Sequence, residues 1–116
     1  MITDKAQIAA AVNEILAASG FLSLNKEDFD TLAPGPVAMI HVTGNRADEV
    51  AAQLKREWTA SGRPIPEREI VFIRGKSLRM SELDTIDCAL PESLHFKKGI
   101  DFNQPAGAEI EIWLFV

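Results

Sequence analysis

The sequence predicts a single α/β or α+β domain on a mixed sheet, and three segments carry that expectation. Val37-Ala38-Met39-Ile40-His41-Val42 is an almost unbroken apolar run, the pattern of a strand covered on both faces. Ala47, Val50, Ala51, Leu54 and Trp58 then recur at helical spacing, with Glu49, Gln53, Arg56 and Glu57 on the opposite side. Ile70-Val71-Phe72-Ile73 is a second buried strand. Strand, helix and strand within about 37 residues make a βαβ unit, so the two strands should run parallel, adjacent or nearly so.

The remaining elements are read in chain order. Asp4 and Gln7 stand at capping-box spacing before Ile8, Val12, Ile15 and Leu16, and the interspersed alanines favour a helix from about residue 5 to 19. Gly20 stands where a left-handed C-cap is expected. Phe21, Leu22 and Leu24 form an apolar connector, and Asn25 can cap a short acidic turn over Lys26 to Leu32 that Pro34-Gly35-Pro36 ends. Thr43 and Gly44 turn the chain after the first strand, Asn45 and Asp48 open the helix over Arg46 to Ala60, and Gly62, Pro64 and Pro66 stop it. Ser81 can cap a short helix through Leu83, Ile86 and Cys88. Ile100 and Phe102 suggest a strand. Pro105-Ala106-Gly107 suits a turn whose last residue is left-handed, and Ile110, Ile112, Leu114 and Val116 share one face of the terminal segment. The expectation is a C-terminal β-hairpin added to the sheet.

Size and composition bound the function classes. The 116 residues fit one domain, 1–116, with a core of its own. An apolar fraction of 47% with a net charge of −5 excludes an intrinsically disordered chain, and the lone Cys88 excludes a disulfide scaffold. The apolar run Ile8 to Val12 comes after Asp4 and ends at Asn13 and Glu14, unlike a secretory leader, and nowhere do eighteen apolar residues run together. A cytoplasmic protein without a membrane span is expected.

Charge is uneven along the chain: −3 over residues 1–30, +3 over 31–79 and −5 over 80–116. The central excess makes Arg63, Arg68, Arg74, Lys76 and Arg79 a candidate basic patch for an acidic or phosphate-bearing partner. With Arg56 added, the same stretch is the candidate surface for nucleic acid, although no exposed aromatic interleaves it as base stacking would require. Gly75-Lys76-Ser77 stands after a strand and matches only the tail of a phosphate-binding loop. The first glycine of that motif would fall at Ile70, so the loop is too short to cradle a triphosphate. Gly44 and Asn45, after the other strand, complete a candidate anion site with Lys76 and Ser77 at the ends of parallel strands.

Templates for catalysis fail. Neither a nucleophile elbow nor a repeating metal-ligand spacing occurs. His41 falls inside an apolar strand as a partly buried, hydrogen-bonded side chain, and Ala89 and Leu90 beside Cys88 suggest a core thiol. Glu27, Asp28 and Asp30, and Glu82, Asp84 and Asp87, fall in turn and capping contexts that expose them. No catalytic residue, cofactor or metal is therefore assigned. The leading expectation is a non-catalytic interaction or assembly module that binds a protein partner or itself, with Trp113 and Phe115 of the doubly apolar C-terminal strand as candidate contacts. The alternatives are a small-ligand or phosphate-binding domain and a nucleic-acid-associated protein.

Overall fold

The computed structural model describes residues 1–18, 20, 22–32, 35–103, 105 and 107–116. Ser19 of the expected first helix, Phe21 of the connector, Pro34 of the break and Ala106 of the turn lie outside them. The apolar runs form β1 (Met39–Gly44) and β2 (Arg68–Gly75), and two later strands, β3 (His95–Asp101) and β4 (Ile110–Phe115), complete a four-stranded sheet. Its order is β1-β4-β2-β3. β4 runs antiparallel to both β1 and β2, so those two are parallel to one another, one strand apart as the βαβ pattern requires. β2 and β3 are parallel neighbours.

The mixed sheet is as expected, but the terminal hairpin is not formed. β3 and β4 lie on opposite sides of β2 and do not pair. The reason is the composition of β4: Trp113 and Phe115 point to one face, Ile112 and Leu114 to the other, and all four are buried. An edge position would leave part of this surface and one side of the backbone in water, whereas the gap between β1 and β2 covers both. Pairing continues past the strand end, where Val37 N–H donates to the Val116 carbonyl at 2.9 Å.

Helices cover both faces. α1 (Lys5–Ala17) and the short α2 (Lys26–Asp30) precede the sheet in the chain, α3 (Ala47–Ser61) joins β1 to β2, and α4 (Met80–Asp87) joins β2 to β3. Val50 and Leu54 of α3 and Leu83 and Ile86 of α4 pack on Ile40, Val42, Val71, Ile73, Ile112 and Leu114. Ile8, Ala11 and Ile15 of α1, with Leu24, Phe29 of α2 and Leu32, pack on Met39, Ile70, Phe72, Trp113 and Phe115. The alternation of each strand thus divides one sheet between two cores.

Local chemistry explains the ends. Asp4 accepts from Gln7 N–H at 2.9 Å, and Asn25 and Asp28 form a reciprocal capping box. α1 stops at Ala18 in extended conformation, so Gly20 is not the left-handed cap the sequence suggested. Gly20 instead passes so close to β3 that an added Cβ would stand 2.5 Å from the Ile100 carbonyl oxygen. The left-handed cap belongs to α3, at Gly62 with φ 66°. α4 begins two residues earlier than expected, with Arg79 rather than Ser81 as its N-cap. Arg79 N–H donates to Glu82 Oε1 at 3.0 Å. Cys88 is exposed at the end of α4, not a core thiol, because the helix has turned it away from Leu83 and Ile86.

The position of β4 yields a prediction. Removing residues 113–116 deletes three buried side chains and the partner of both β1 and β2. Each large buried side chain is worth about 2–5 kcal/mol, against a total of about 5–15 for a domain of this size. The shortened chain should therefore lose its cooperative thermal transition, as read by circular dichroism. A retained transition at the same temperature would show that β4 is dispensable.

Candidate functional site

The central basic residues do not form a patch. β2 spans about 23 Å, and it separates Arg68 at its start from Lys76 and Arg79 beyond its end. Arg63 lies just after α3, near the start of β2 in the chain. Arg74 is not a surface charge at all. Alternation turns it toward α1 with Ile70 and Phe72, and register sets it between Glu111 of β4 and Asp101 of β3. Its guanidinium lies 3.3 Å from Asp101, 3.4 Å from Glu14 of α1 and 3.5 Å from Glu111. It also lies over the Trp113 and Phe72 rings, at 5.3 and 5.7 Å. Glu111 accepts a 2.7 Å hydrogen bond from His41 Nε2, and the His41 ring stacks on Trp113 at 4.8 Å. One cation thus ties three strands and a helix, and its charge is satisfied inside the chain.

Trp113 and Phe115 are equally withdrawn. They are 2% and 0% exposed and serve the core, so the C-terminal strand offers no contact surface. Of the expected anion site, Asn45 and Ser77 do converge. They line a cleft of about 480 Å³ with Arg46, Arg79 and Glu82, where the N-termini of α3 and α4 meet. Ser77 adopts a left-handed conformation there, with φ 56°. Gly44 and Lys76 are not in its lining. Gly44 packs on Val50, and Lys76 is exposed. Arg46 is already paired with Asp48 through two 3.1 Å contacts, and Asp48, Glu49 and Glu82 occupy the helix N-termini that an anion would use.

Two features that sequence reasoning missed lie at the other end of the sheet. The first is the outer edge of β3. His95 N–H is bonded inward to the Glu67 carbonyl and Ile100 is bonded outward to Leu22, so alternation directs the backbone groups of Phe96 and Lys98 away from β2. Leu22 covers the far end only. Phe96 is 42% exposed and Leu94 82%, and Arg68, His95 and Lys97 line a shallow pocket of about 340 Å³ beside them.

The second is Glu69, which is 3% exposed. It shares a sheet face with Val71 and Ile73, opposite Phe96 of β3, and its Oε2 has no hydrogen-bond partner. Burial pushes its pKa up to about 7, and a Ser93 hydrogen bond pulls less strongly the other way. Asp87 at the end of α4 lines, with Glu69, a second pocket of about 300 Å³. Its side chain is 37% exposed, in keeping with the expectation, with Oδ2 held by Lys98 Nζ at 2.8 Å and Oδ1 buried without a partner. Among the described residues, no group of three or more His, Cys, Asp or Glu side chains is arranged to hold a metal ion, and no helix is long and apolar enough to cross a membrane.

Neither a protein-family model nor a curated protein matches the chain. Solved structures do. CetZ from Methanosaeta thermophila superimposes with a TM-score of 0.61 at 16% identity, over 95% of this chain and 34% of that one. A single-substitution mutant of FtsZ from M. jannaschii superimposes with a TM-score of 0.54 at 14% identity, over 97% of this chain and 38% of that one. The chain therefore spans little more than a third of the length of these proteins. At such identity the likeness shows the fold alone.

Two substitutions test the electrostatics. Arg74→Met leaves Asp101 and Glu111 without their cation and should cost about 3 kcal/mol, read as a lower urea midpoint. An unchanged midpoint would mean that the ion pairs contribute nothing net. For Glu69, the folded-state pKa of about 7 exceeds the ordinary value of 4.5, so the folded state holds the extra proton between those values. Stability therefore falls as pH rises through that window, and the penalty is complete above it. Glu69→Gln should raise the melting temperature at about pH 8, by the equivalent of roughly 3 kcal/mol at most, and change it little at about pH 4.5. A pH-independent effect would contradict this titration.

Proposed function

We propose that the domain is a non-catalytic module that binds another protein by accepting an extended segment along the open edge of β3. The observation that supports this reading is the edge itself, with outward backbone groups at Phe96 and Lys98 and the apolar side chains of Leu94 and Phe96 beside them. Strand addition supplies main-chain hydrogen bonds, and flanking side chains supply selectivity. Charge favours a different chain over a second copy. Two copies paired antiparallel about the middle of β3 would set Lys98 against its own counterpart, and like charges opposite one another destabilise a sheet. An extended segment with acidic side chains meets Arg68, His95 and Lys97 instead. The anion-binding alternative is weaker, because Asp48 and Glu82 offset Arg46 and Arg79 in the cleft that would hold the anion.

The test is selection from a displayed library of random peptides, with the purified protein's mass measured by sedimentation. The expected result is a monomer that selects extended, acid-bearing peptides and slows amide exchange at Phe96 and Lys98. Phe96→Pro removes an outward donor without breaking the ladder to β2, so it should abolish binding and leave the fold intact. Self-association that Phe96→Pro abolishes, or peptides that bind that variant equally well, would overturn the proposal. So would peptides that map to the apolar groove of about 660 Å³ lined by Ile8, Val12, Leu16, Phe29 and Val37.

A further inference from the structure

Arg68 and Arg74 stand on one face of β2, yet only Arg74 is spent inside the chain. Three carboxylates hold Arg74, whereas among the described residues none lies within ion-pair distance of Arg68. Register sets Arg68 beside His95 of β3, and alternation puts Lys97 on the same face two residues farther along. Neighbouring strands stand about 4.8 Å apart and alternate residues of a strand about 6.6 Å, so the three side chains leave the sheet within reach of one another. They line one pocket of about 340 Å³. The His95 ring is as unpartnered as Arg68 among the described residues. Lys97 Nζ lies 3.6 Å from Asp28 Oδ1, one contact that leaves its other donors free. Glu69 also lines the pocket, but alternation turns its side chain to the opposite face with Val71 and Ile73. We propose that the pocket formed by Arg68, His95 and Lys97 binds a phosphoryl monoester. This deepens the reading of the β3 edge by naming the anionic group, and it rests on that reading only where a bound segment carries the ester.

The number and spacing of the donors select a phosphoryl group over a carboxylate. A guanidinium fork by itself satisfies both oxygens of a carboxylate, which leaves His95 and Lys97 over. A phosphoryl monoester carries a charge of about −1.5 to −2 and three terminal oxygens, enough for a guanidinium, an imidazole N–H and an ammonium together. Leu94 and Phe96 line the same pocket and are exposed, so they offer apolar surface to the organic stem of an ester, which inorganic phosphate lacks. The cleft between α3 and α4 is the contrasting case, since Asp48 and Glu82 share it with Arg46 and Arg79. Around Arg68, His95 and Lys97, the acidic contact among the described residues is the Lys97–Asp28 pair. A free small-molecule ester and a phosphorylated side chain of an added segment present the same group.

The probe is phenyl phosphate at about pH 7.5, above its second pKa of about 6, with phenylacetate as the carboxylate of similar stem. Amide shifts at Arg68, His95 and Lys97 should saturate with a dissociation constant of about 1 mM or below, and phenylacetate should bind at least about tenfold more weakly. Arg68→Gln changes an exposed side chain, so it should keep the melting temperature and weaken phenyl phosphate at least about tenfold. Lys97→Gln should weaken it as well, and carries the test if Arg68→Gln folds poorly. Lys76→Gln makes the same charge change beyond the far end of β2 and should leave the constant unchanged. No saturation by about 20 mM, equal binding of phenylacetate, or undiminished binding by a folded Arg68→Gln or Lys97→Gln would each overturn the proposal. An equal loss in Lys76→Gln would reduce the effect to net charge and overturn it too. An extended hexapeptide with a central phosphoserine that binds more tightly than phenyl phosphate, and slows amide exchange at Phe96 and Lys98, would identify the ester as chain-borne. A phosphopeptide that binds no better would identify it as a free ester. Phenyl phosphate is too short to join the sheet, so its failure leaves strand addition standing. Failure of unphosphorylated peptides at the β3 edge leaves the phosphoryl pocket standing in turn.

Discussion

β4 has a strand on each edge and helices on each face, and the other elements take their places from it. Without β4, the crossover through α3 leaves β1 and β2 parallel but not hydrogen-bonded, with a gap one strand wide. Filling that gap joins the βαβ unit to the last strand of the chain. It places Trp113 and Phe115 under α1 and α2, and Ile112 and Leu114 under α3 and α4. The same register brings Glu111 opposite Arg74, so the packing of one strand also sets the polar network at that end of the sheet.

The two ends of the sheet are electrically different as a result. At the end reached by Arg74, the guanidinium touches three carboxylates, and His41 serves the fourth position of the network. Such a site holds the layers together and leaves little for a visitor to bind. At the start of β2 and β3 the balance reverses. Glu69 is buried without a cation, Asp87 has one oxygen paired and one free, and the neighbouring edge of β3 is open. The open backbone groups at this end are what the proposed strand addition would use.

Much of this architecture is legible in the residues. The three apolar segments specify the parallel strands and their helix, since burial on both faces leaves a continuous run. The last strand shows the limit of such reading. Its double-sided apolar pattern signals complete cover but not what provides it. Proximity in sequence suggests β3, whereas the register partners of Trp113 are His41 and Phe72, far earlier in the chain. For the sites, parity along β2 is the informative signal. Arg74 shares a face with Ile70 and Phe72, which argues against a surface patch, and Glu69 shares a face with Val71 and Ile73, which argues for burial. Asp87 cannot be read this way, because its partner Lys98 arrives from another element.

The place of β4 also constrains the order in which the domain can be made. Synthesis delivers β1, α3, β2 and β3 before the strand that joins β1 to β2. Until β4 emerges, only the β2–β3 pair can form, while β1 and the free side of β2 present unsatisfied backbone and Ile, Val and Phe side chains to the surroundings. The chain must therefore complete its sheet late, by a long-range closure of the kind that slows folding and exposes sticky edges. The lysines of β3 and the helices already tethered nearby are then the guards against premature pairing with another nascent chain. A structure that looks symmetrically layered when finished is, during its making, a waiting groove shaped for its own last strand.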